Sequence, residues 1–547
     1  MTSAAVAVQA EPVAAGDTRP RRLKVGLFLD SRLQPAWVAQ AFSRVAGSDF
    51  AEISLVCEMG GHRAEPLAWR LYDQVDRWAF ARGEDPAAQI DLANEVPHRL
   101  FLPYGERRLH PGPDLDVAFA VGEVDDTALD GLARYGVWRF WLGEASDGDG
   151  NPRLAGFREV AEHQPLSGSG LKVRMTPGGT ERVAYQSWSR TYPFSAARNR
   201  EQLLAKTSEF AWRALRELHR SGSGWLEQCK PVPQGRSTIP DAANPGASLI
   251  RGAGRIAARL VRRGVQKALN VEQWFLAYRL RDSRFGDARS VPADLRGFTR
   301  LVPPKDRYWA DPFVIERDGR YYVFFEELPF KTGRAHISML QIDGQGRASA
   351  PVKVLERDYH LSYPFLAEHN GQLYMIPESA QNGTVEVFRC VDFPHGWKRE
   401  RVLMQGTRCV DATFHRGPDR WWMFANVAAS GSRMFDDELH VFHAADLLGD
   451  WQPHARNPVK SDARCARPAG QLYWRNGALY RPAQVCSPLY GSGLSINRVL
   501  RLTPQDYAER QVERILPSAG AGLLGLHTIN RAGALTIVDA FARNPRF

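Results

Sequence analysis

The sequence YWADPFVIERDGRYYVFFEE, residues 308–327, predicts two antiparallel strands joined by a tight turn. Asp318-Gly319 stands between two runs rich in aromatic and β-branched residues, which is a strong hairpin signal. The pattern recurs four more times, about fifty residues apart, at residues 362–378, 410–426, 466–484 and 525–539. A repeat of this length with several short strands per copy is typical of a β-propeller. The sequence therefore predicts an all-β, five-bladed propeller over residues 271–547.

A different pattern fills residues 22–220 and predicts a separate α/β domain. Arg22–Ser31 predicts a buried strand, Pro35–Val45 a helix and Phe50–Glu58 a second strand. A strand, a helix and a strand in this order form a right-handed crossover and a parallel, Rossmann-like sheet. Two more strands are predicted at Leu115–Val121 and Gly136–Leu142, and residues 199–218 predict a closing helix. No GxGxxG motif follows the first strand, so no dinucleotide cofactor, and no other cofactor, is expected.

The remaining segments predict a disordered leader at residues 1–21 and a linker at 221–270. Within the linker, Ala247–Leu269 predicts a helix whose basic residues fall between Arg251 and Lys267. Two interpretations stay open for this helix: it packs on a neighbouring domain, or it contacts an anionic membrane surface. No apolar run reaches about eighteen residues, so no spanning segment is predicted.

Charge and cysteine content restrict the partners and the compartment. The net charge of +10 suggests anionic partners such as phosphates, but no motif specifies nucleic acid. The six cysteines show neither CxxC pairs nor metal-type spacing with histidine, so no metal site is predicted. Reduced thiols predict a cytoplasmic protein, and the basic helix would place it at the inner face of the membrane.

Equivalent positions of the five repeats carry polar residues that predict a binding site. In a propeller blade, the start of the first strand and the end of the second lie on one face. Those positions hold Asp311 with Glu326 and Glu327, Tyr363 with Glu378, Asp411 with Asn426, Arg467 with Gln484, and His527 with Asp539. Trp309, Arg334 and His336 are further candidates of the first repeat. Polar groups beside aromatic strands suit a carbohydrate, which offers hydroxyls to bond and ring faces to stack.

The first repeat also resembles a known family. Trp309-Ala310-Asp311-Pro312-Phe313-Val314 is similar to the first-blade motif of the five-bladed arabinanase, xylosidase and invertase glycoside hydrolases. The resemblance implies Asp311 as base or nucleophile and Asp411 as an orienting carboxylate. The acid expected in the fourth blade is missing, because Arg467 stands there, and Glu378 is the candidate replacement. Residues 270–547 also resemble the N-terminal domain of glucosamine inositolphosphorylceramide transferase.

The first domain resembles the formyltransferase family over residues 22–220. The stretch 134–143, RYGVWRFWLG, is similar to that family's strand with catalytic Asn and His, but Arg139 and Trp141 stand at those positions. Formyl transfer needs a base and an oxyanion partner. This domain is therefore predicted to be a formyltransferase-like scaffold without that chemistry.

Three functional hypotheses follow. The first is a glycosyl-transferring enzyme that acts on a phosphate-activated or phosphate-bearing sugar in polysaccharide or glycolipid synthesis, with Arg467 on the phosphate. Such a leaving group needs positive charge rather than a proton. The second is a glycoside hydrolase, and the third is a non-catalytic glycan-binding scaffold.

Overall fold

The structure is a computed structural model. It describes residues 21–546 except 62–65, 82, 84, 104–113, 144–154, 233–244, 281–290, 429–433, 519 and 521. The predicted leader, apart from Arg21, and the centre of the predicted linker lie outside the described residues.

The first part of the chain folds as an α/β unit. Its elements are β1 (Leu23–Leu29), β2 (Leu33–Pro35), α1 (Ala36–Ala46), β3 (Ala51–Glu58), α2 (Leu67–Phe80), β4 (Gln89–Asp91), α3 (Leu92–Glu95), β5 (Leu100–Leu102), β6 (Val117–Val121), β7 (Val137–Leu142), α4 (Phe157–Ala161), β8 (Leu166–Arg174), β9 (Arg182–Arg190), α5 (Ala196–Thr207), α6 (Phe210–Ser221) and α7 (Ser223–Gln228). A short 3-10 helix covers Asp126–Leu129.

Seven of these strands form one sheet in the order β5-β3-β1-β6-β7-β8-β9. The first five are parallel, and β8 and β9 run antiparallel at one edge. Successive side chains of β1 reach opposite faces, so that Leu27 packs with Phe42 of α1 while Phe28 packs with Leu55. The strands predicted in this part are confirmed, whereas the likeness to formyltransferases remains a prediction.

The single helix predicted over residues 199–218 is wrong, because the chain forms α5 and α6 instead. The break falls at Ser208 and Glu209, where the Ser208 hydroxyl donates to the carbonyl of Ala205. A serine that bonds the preceding turn competes with regular helix geometry. The helix is therefore interrupted at a point that the apolar periodicity did not reveal.

The rest of the chain is a long helix followed by strands. The elements are α8 (Pro245–Leu269), β10 (Asn270–Leu280), β11 (Thr299–Leu301), β12 (Arg307–Arg317), β13 (Arg320–Pro329), β14 (His336–Ile342), β15 (Val352–Leu355), β16 (Ser362–His369), β17 (Gln372–Ser379), β18 (Thr384–Asp392), β19 (Gly396–Gln405), β20 (Cys409–Arg416), β21 (Trp421–Val427), β22 (Glu438–Ala444), β23 (Gln452–Pro453), β24 (Lys460–Ser461), β25 (Tyr473–Arg475), β26 (Ala478–Val485), β27 (Gly493–Leu502), β28 (Tyr507–Ile515), β29 (Leu523–Gly525), β30 (Ile529–Ala532) and β31 (Leu535–Pro545). Another 3-10 helix covers Ala380–Asn382.

These strands form five antiparallel sheets, which confirms the predicted five-bladed propeller. Blades one to four are built from consecutive strands, beginning at β12, β16, β20 and β25. The fifth blade joins the two ends of the propeller, because β10 pairs with β31 along its whole length, from Asn270 opposite Pro545 to Leu280 opposite Leu535. The hydrogen bonds of one shared sheet thus close the ring.

Helix α8 packs one side on the first domain. Leu249 and Ile256 are buried, and Gly252 lies so close to Phe157 of α4 that a β-carbon there would meet its ring at 2.6 Å. Ile250, Val261, Val265 and Leu269 are exposed. No helix among the described residues is long and apolar enough to cross a bilayer.

The first domain and the propeller are joined by buried ion pairs at the third blade. Arg213 of α6 forms two hydrogen bonds to Glu438, of 2.6 and 3.1 Å. Lys206 lies 2.9 Å from Asp437, and Arg190 lies 2.7 Å from Asp436. Three consecutive carboxylates thus each receive a cation from the first domain. Paired buried charges tolerate little displacement, so the two parts hold a fixed orientation.

Candidate active site

Three blades begin with the same backbone feature, a β-bulge. The innermost strands β12, β16 and β20 each contain a bulge, and the residue in the bulge has left-handed backbone geometry. These residues are Asp311 with φ 51°, Tyr363 with φ 44° and Asp411 with φ 53°. Such geometry costs a non-glycine residue about 1–3 kcal/mol and is commonest at functional sites. All three side chains form hydrogen bonds to residues of other blades, so the bulges direct them away from their own blade.

Asp311 is held by the fifth blade. Its Oδ1 atom accepts a hydrogen bond of 2.7 Å from the Thr528 hydroxyl, and the Nε2 atom of His527 lies 3.5 Å away. The backbone amide of Asp311 donates to Asp539. Asp539 also lies 2.5 Å from Nδ1 of His527. The arrangement is a chain of carboxylate, imidazole and carboxylate in which Asp539 orients the ring that faces Asp311.

Burial sets the protonation of this chain. It raises the pKa of Asp311, the nearby carboxylates of Asp411 and Glu326 add to the rise, and His527 opposes it, which leaves a pKa of about 7. Burial alone would lower the pKa of His527, but the charges of Asp539 and Asp311 outweigh it and raise the pKa to about 9. A carboxylate with this pKa is suited to proton transfer near neutral pH.

Asp311, His527 and Asp539 also lie close enough together to hold a metal ion, with one potential ligand atom each within 4.8 Å of the others. Both oxygens of Asp539, however, already accept backbone hydrogen bonds, from His527, Thr528 and Asp311. The donor set therefore fits a proton-holding chain better than a metal site.

We expect the His527 ring to titrate near pH 9, and Asp539→Asn to lower that pKa because it removes the main attractive charge. The folded pKa exceeds the value of about 6.5 for an unfolded histidine. Ionised His527 therefore stabilises the fold fully below pH 6.5, and this contribution is lost as the pH rises through 9. NMR of protein labelled at histidine Cε1, with His527→Gln for assignment, measures it. Asp318→Asn is the control, and equal titration in both Asp→Asn variants would contradict the account.

Asp411 is held from the fourth blade. Arg467 donates to both of its carboxylate oxygens, from Nε at 2.6 Å and from Nη2 at 3.3 Å. Gln484 donates a third hydrogen bond of 2.8 Å. Arg467 also lies over the Tyr490 ring and 3.6 Å from Asp436. Arg467 therefore pairs with two carboxylates, and its two hydrogen bonds hold Asp411 in place.

Glu378 is the partly exposed carboxyl group of the site. It accepts a hydrogen bond of 3.2 Å from the backbone amide of Asp411. Burial and then the charge of Asp411 raise the pKa of Glu378 well above its usual range, against the opposing charge of Arg467. Burial thus favours the protonated form of Glu378, the form that can donate a proton. We call Asp311, Glu378, Asp411, Arg467, Gln484, His527, Thr528 and Asp539 the axial cluster.

The other predicted residues lie around or outside this cluster. Glu326 accepts from Tyr308 and lies 3.1 Å from His360, whereas His336 lies 3.3 Å from Glu327. Arg334 is exposed and donates to the carbonyl of Asp358. Three more are buried in packing: Trp309 against Phe325, Tyr363 between Thr413 and the amide of Gly470, and Asn426 on the carbonyl of Phe435. Substrate contacts by these residues remain predictions.

Three contributors were absent from the predicted set. Thr528 adjoins His527 in sequence, so its position in the repeat could have indicated it. Trp274 stacks on His527 with ring centroids 4.0 Å apart, and Tyr490 meets the same ring edge-on at 5.5 Å. Trp274 belongs to the strand that closes the ring, and Tyr490 to a loop, where the repeat pattern gives no signal.

Comparison with known proteins supports the resemblance of the propeller. Residues 302–522 match the model of the family "Glucosamine inositolphosphorylceramide transferase 1, N-terminal". The protein of that name from Arabidopsis thaliana is 29% identical over 228 residues, which are 41% of this chain and 30% of the relative. That from Oryza sativa subsp. japonica is 30% identical over 216 residues, 39% of this chain and 29% of the relative. The chain thus spans less than a third of the curated relatives it matches.

Solved structures show weaker similarity. A thermostable family-43 glycoside hydrolase is 13% identical, with 39% of this chain and 78% of that chain covered and a TM-score of 0.30. An exo-1,5-α-L-arabinanase from a bovine ruminal metagenomic library is 11% identical, with 43% and 92% covered and a TM-score of 0.31. At these scores the likeness carries no argument about activity.

Proposed function

We propose that this chain is a carbohydrate-active enzyme that transfers a sugar from a phosphate-bearing donor, with the axial cluster as its active site. The observation that carries the proposal is Asp311, a buried carboxylate with a pKa of about 7 that Thr528 and His527 hold in place. A base needs a pKa near the working pH and a fixed position. The relatives named as transferases support the same class of reaction.

In the proposed reaction, Asp311 takes the proton of an acceptor hydroxyl. The hydroxyl oxygen bonds to the anomeric carbon, the bond from that carbon to the phosphate oxygen breaks, and its electron pair leaves with the phosphate. Asp411, fixed by Arg467 and Gln484, orients the sugar. Protonated Glu378 donates a hydrogen bond to the sugar. No group has to protonate the departing phosphate, which suits a blade that carries Arg467 where glycosidases carry an acid.

Glu378 also supports a second candidate function, hydrolysis of glycosides. Such hydrolysis needs a carboxylic acid of raised pKa to protonate an alkoxide leaving group. Glu378 has that property, and its partial exposure lets a substrate approach it. The two functions use different donors, a phosphate-bearing sugar for transfer and a glycoside for hydrolysis, so one binding experiment can distinguish them.

We expect phosphate-bearing sugars to raise the melting temperature of the protein. A panel of nucleotide sugars, sugar 1-phosphates and neutral oligosaccharides is measured by thermal shift. A ligand at one hundred times its Kd adds about 2.7 kcal/mol to the free energy of unfolding. Stabilisation by the phosphate-bearing sugars, but not by the matching free sugars, supports transfer.

Two outcomes would contradict transfer from a phosphate-bearing donor. Stabilisation by neutral oligosaccharides alone, with release of nitrophenol from aryl glycosides that Glu378→Gln abolishes, identifies a hydrolase. Stabilisation by glycans that is unchanged in Asp311→Asn, with no product from any donor, identifies a binding scaffold. Asp318→Asn, an exposed position in the turn after the same strand, is the matched control.

A membrane contact through Arg251–Lys267 would bring this enzyme to a lipid acceptor, and it would fit a cytoplasmic location at the inner membrane face. Helix α8 exposes Val261 and Val265 beside exposed basic residues, and α2 exposes Leu67, Leu71, Val75 and Trp78. Their spacing of three and four residues forms one apolar stripe on α2.

We therefore expect the protein to float with vesicles that contain phosphatidylserine and not with pure phosphatidylcholine vesicles. Each basic residue near an anionic surface contributes about 1 kcal/mol. Arg255→Glu with Lys267→Glu, or Trp78→Glu, should release the protein, and salt should weaken the binding. Arg320→Glu, exposed on the propeller, is the control. Equal flotation of all variants would contradict the membrane contact.

A further inference from the structure

A cavity of about 500 Å³ lies where the first domain, α8 and the propeller meet. Residues 163–165 and 190–194 contribute one wall, α8 contributes a second, and strands β10 and β31 with the loop at 488–490 contribute a third. A volume of this size accommodates a ligand of nucleotide dimensions. No residue of the axial cluster lines the cavity, but two aromatic residues that do line it contact that cluster.

Five arginines line the cavity: Arg190, Arg259, Arg262, Arg263 and Arg543. Arg263 and Arg543 share one carboxylate, that of Glu272, and Arg190 pairs with Asp436. Five positive charges against these two negative charges leave three positive charges in excess. The charge of this cavity is therefore suited to a polyanion.

Two of the three unbalanced charges, those of Arg259 and Arg262, lie on α8. Arg259 donates to the backbone carbonyls of Val160 and Pro193, so its partners carry no charge. The guanidinium of Arg262 has no hydrogen-bond or ion-pair partner among the residues that the structure describes. His163, which lines the cavity with a left-handed φ of 60°, has its pKa lowered by burial and by the charges of Arg259 and Arg262. A neutral histidine beside two guanidinium groups that lack a carboxylate partner among the described residues is the arrangement that an anion would complete.

Aromatic rings connect the cavity to the axial cluster. Trp274 lines the cavity and stacks on His527. Tyr490 lines it too, meets the same imidazole edge-on and lies beneath Arg467. Tyr192 and Phe194 add apolar surface from the first domain. A ligand that fills this cavity therefore lies next to the residues that hold Asp311.

We infer that this cavity binds the diphosphate group of an activated sugar, with Arg262 and Arg259 as its principal ligands. The sugar part of this inference rests on the proposed function. The diphosphate part does not, because it follows from the charge of the cavity. Arginine forks bind phosphate oxygens in pairs and are the preferred residues for this group. This assignment gives the phosphate a site in which the arginines are available, whereas Arg467 is occupied by Asp411 and Asp436.

Calorimetric titration with inorganic pyrophosphate and with UDP tests the inference. We expect one site per chain and a tenfold to hundredfold weaker Kd in Arg262→Ala, about the loss of one charge-assisted contact. Arg255→Ala is the matched control, because Arg255 is exposed on the same helix and does not line the cavity. Binding should shift the NMR signal of the His163 ring.

If UDP binds more tightly than pyrophosphate, the diphosphate comes from a nucleotide; if they bind equally, a lipid diphosphate is the source.

Equal weakening by Arg262→Ala and Arg255→Ala, or several weak sites, would show non-specific attraction to a basic protein and overturn the inference. Absence of pyrophosphate and UDP binding would overturn it as well. The measurement is independent of turnover: specific binding that persists in Asp311→Asn, with no transfer in wild type, would leave this site standing and remove the proposed function. Sugar transfer at the wild-type rate in Arg262→Ala would remove this diphosphate site and leave the proposed function standing.

Discussion

Replacing Asp311 by Asn should lower the turnover of the donor by a factor of about 10² to 10⁴, the usual contribution of a positioned base. Asparagine keeps the shape of the side chain and can still bond Thr528, but it cannot take a proton. Because the pKa of Asp311 is about 7, the wild-type rate should rise as the pH increases through 7. Steady-state kinetics with the donor identified by thermal shift measure both effects.

The KM for the donor should change little in Asp311→Asn, since the proton moves only in the transition state. Asp318→Asn should behave as wild type in rate and in pH dependence. A rate within threefold of wild type for Asp311→Asn would remove Asp311 from the chemistry and leave the axial cluster as a structural or binding feature.

Replacing Arg467 by Ala should destabilise the protein by about 3–5 kcal/mol, the cost of leaving one member of a buried ion pair alone. The side chain of Asp411 is 2% exposed and that of Arg467 is 12% exposed, so solvent cannot substitute for the lost guanidinium. Among the residues that the structure describes, Gln484 alone would remain as a donor to the Asp411 side chain. Denaturant unfolding followed by tryptophan fluorescence measures the change.

Arg464→Ala is the control, because that arginine is 37% exposed and pairs with Asp462 of its own turn. Exposed pairs contribute about 0–1 kcal/mol. Adding Asp411→Asn to Arg467→Ala should restore part of the stability, since it removes the unpaired charge. Equal stability of Arg467→Ala and Arg464→Ala would show that the pair does not support the site.

The sequence was sufficient to predict the propeller and part of its centre. Hairpin turns such as Asp318-Gly319 recur with the strands, so the blades and their innermost residues could be placed by counting. Asp311, Asp411, Arg467 and His527 come together because they occupy equivalent positions of the repeat. The closure of the ring by β10 and β31 could not be read from the repeats, because pairing between distant segments leaves no local pattern.

What could not be predicted depends on contacts between distant segments. Arg467 was predicted to bind phosphate but pairs with Asp411, since strand position does not determine which charge an arginine meets. Tyr490 lies in a loop of the fourth blade and Arg262 lies on α8, and the repeat pattern gives no signal at either place. Tyr363 occupies a repeat position like that of Asp311, yet its hydroxyl is bonded to Thr413 and to the amide of Gly470.

A crystal structure of Asp311→Asn with the phosphate-bearing sugar that stabilises it best is the most direct test of the axial cluster as the sugar site. We predict that the sugar ring lies within hydrogen-bond distance of residue 311 and Glu378, with its anomeric carbon facing residue 311. A sugar bound only at the carboxyl ends of the first domain's parallel strands, with the axial cluster unchanged, would contradict the account.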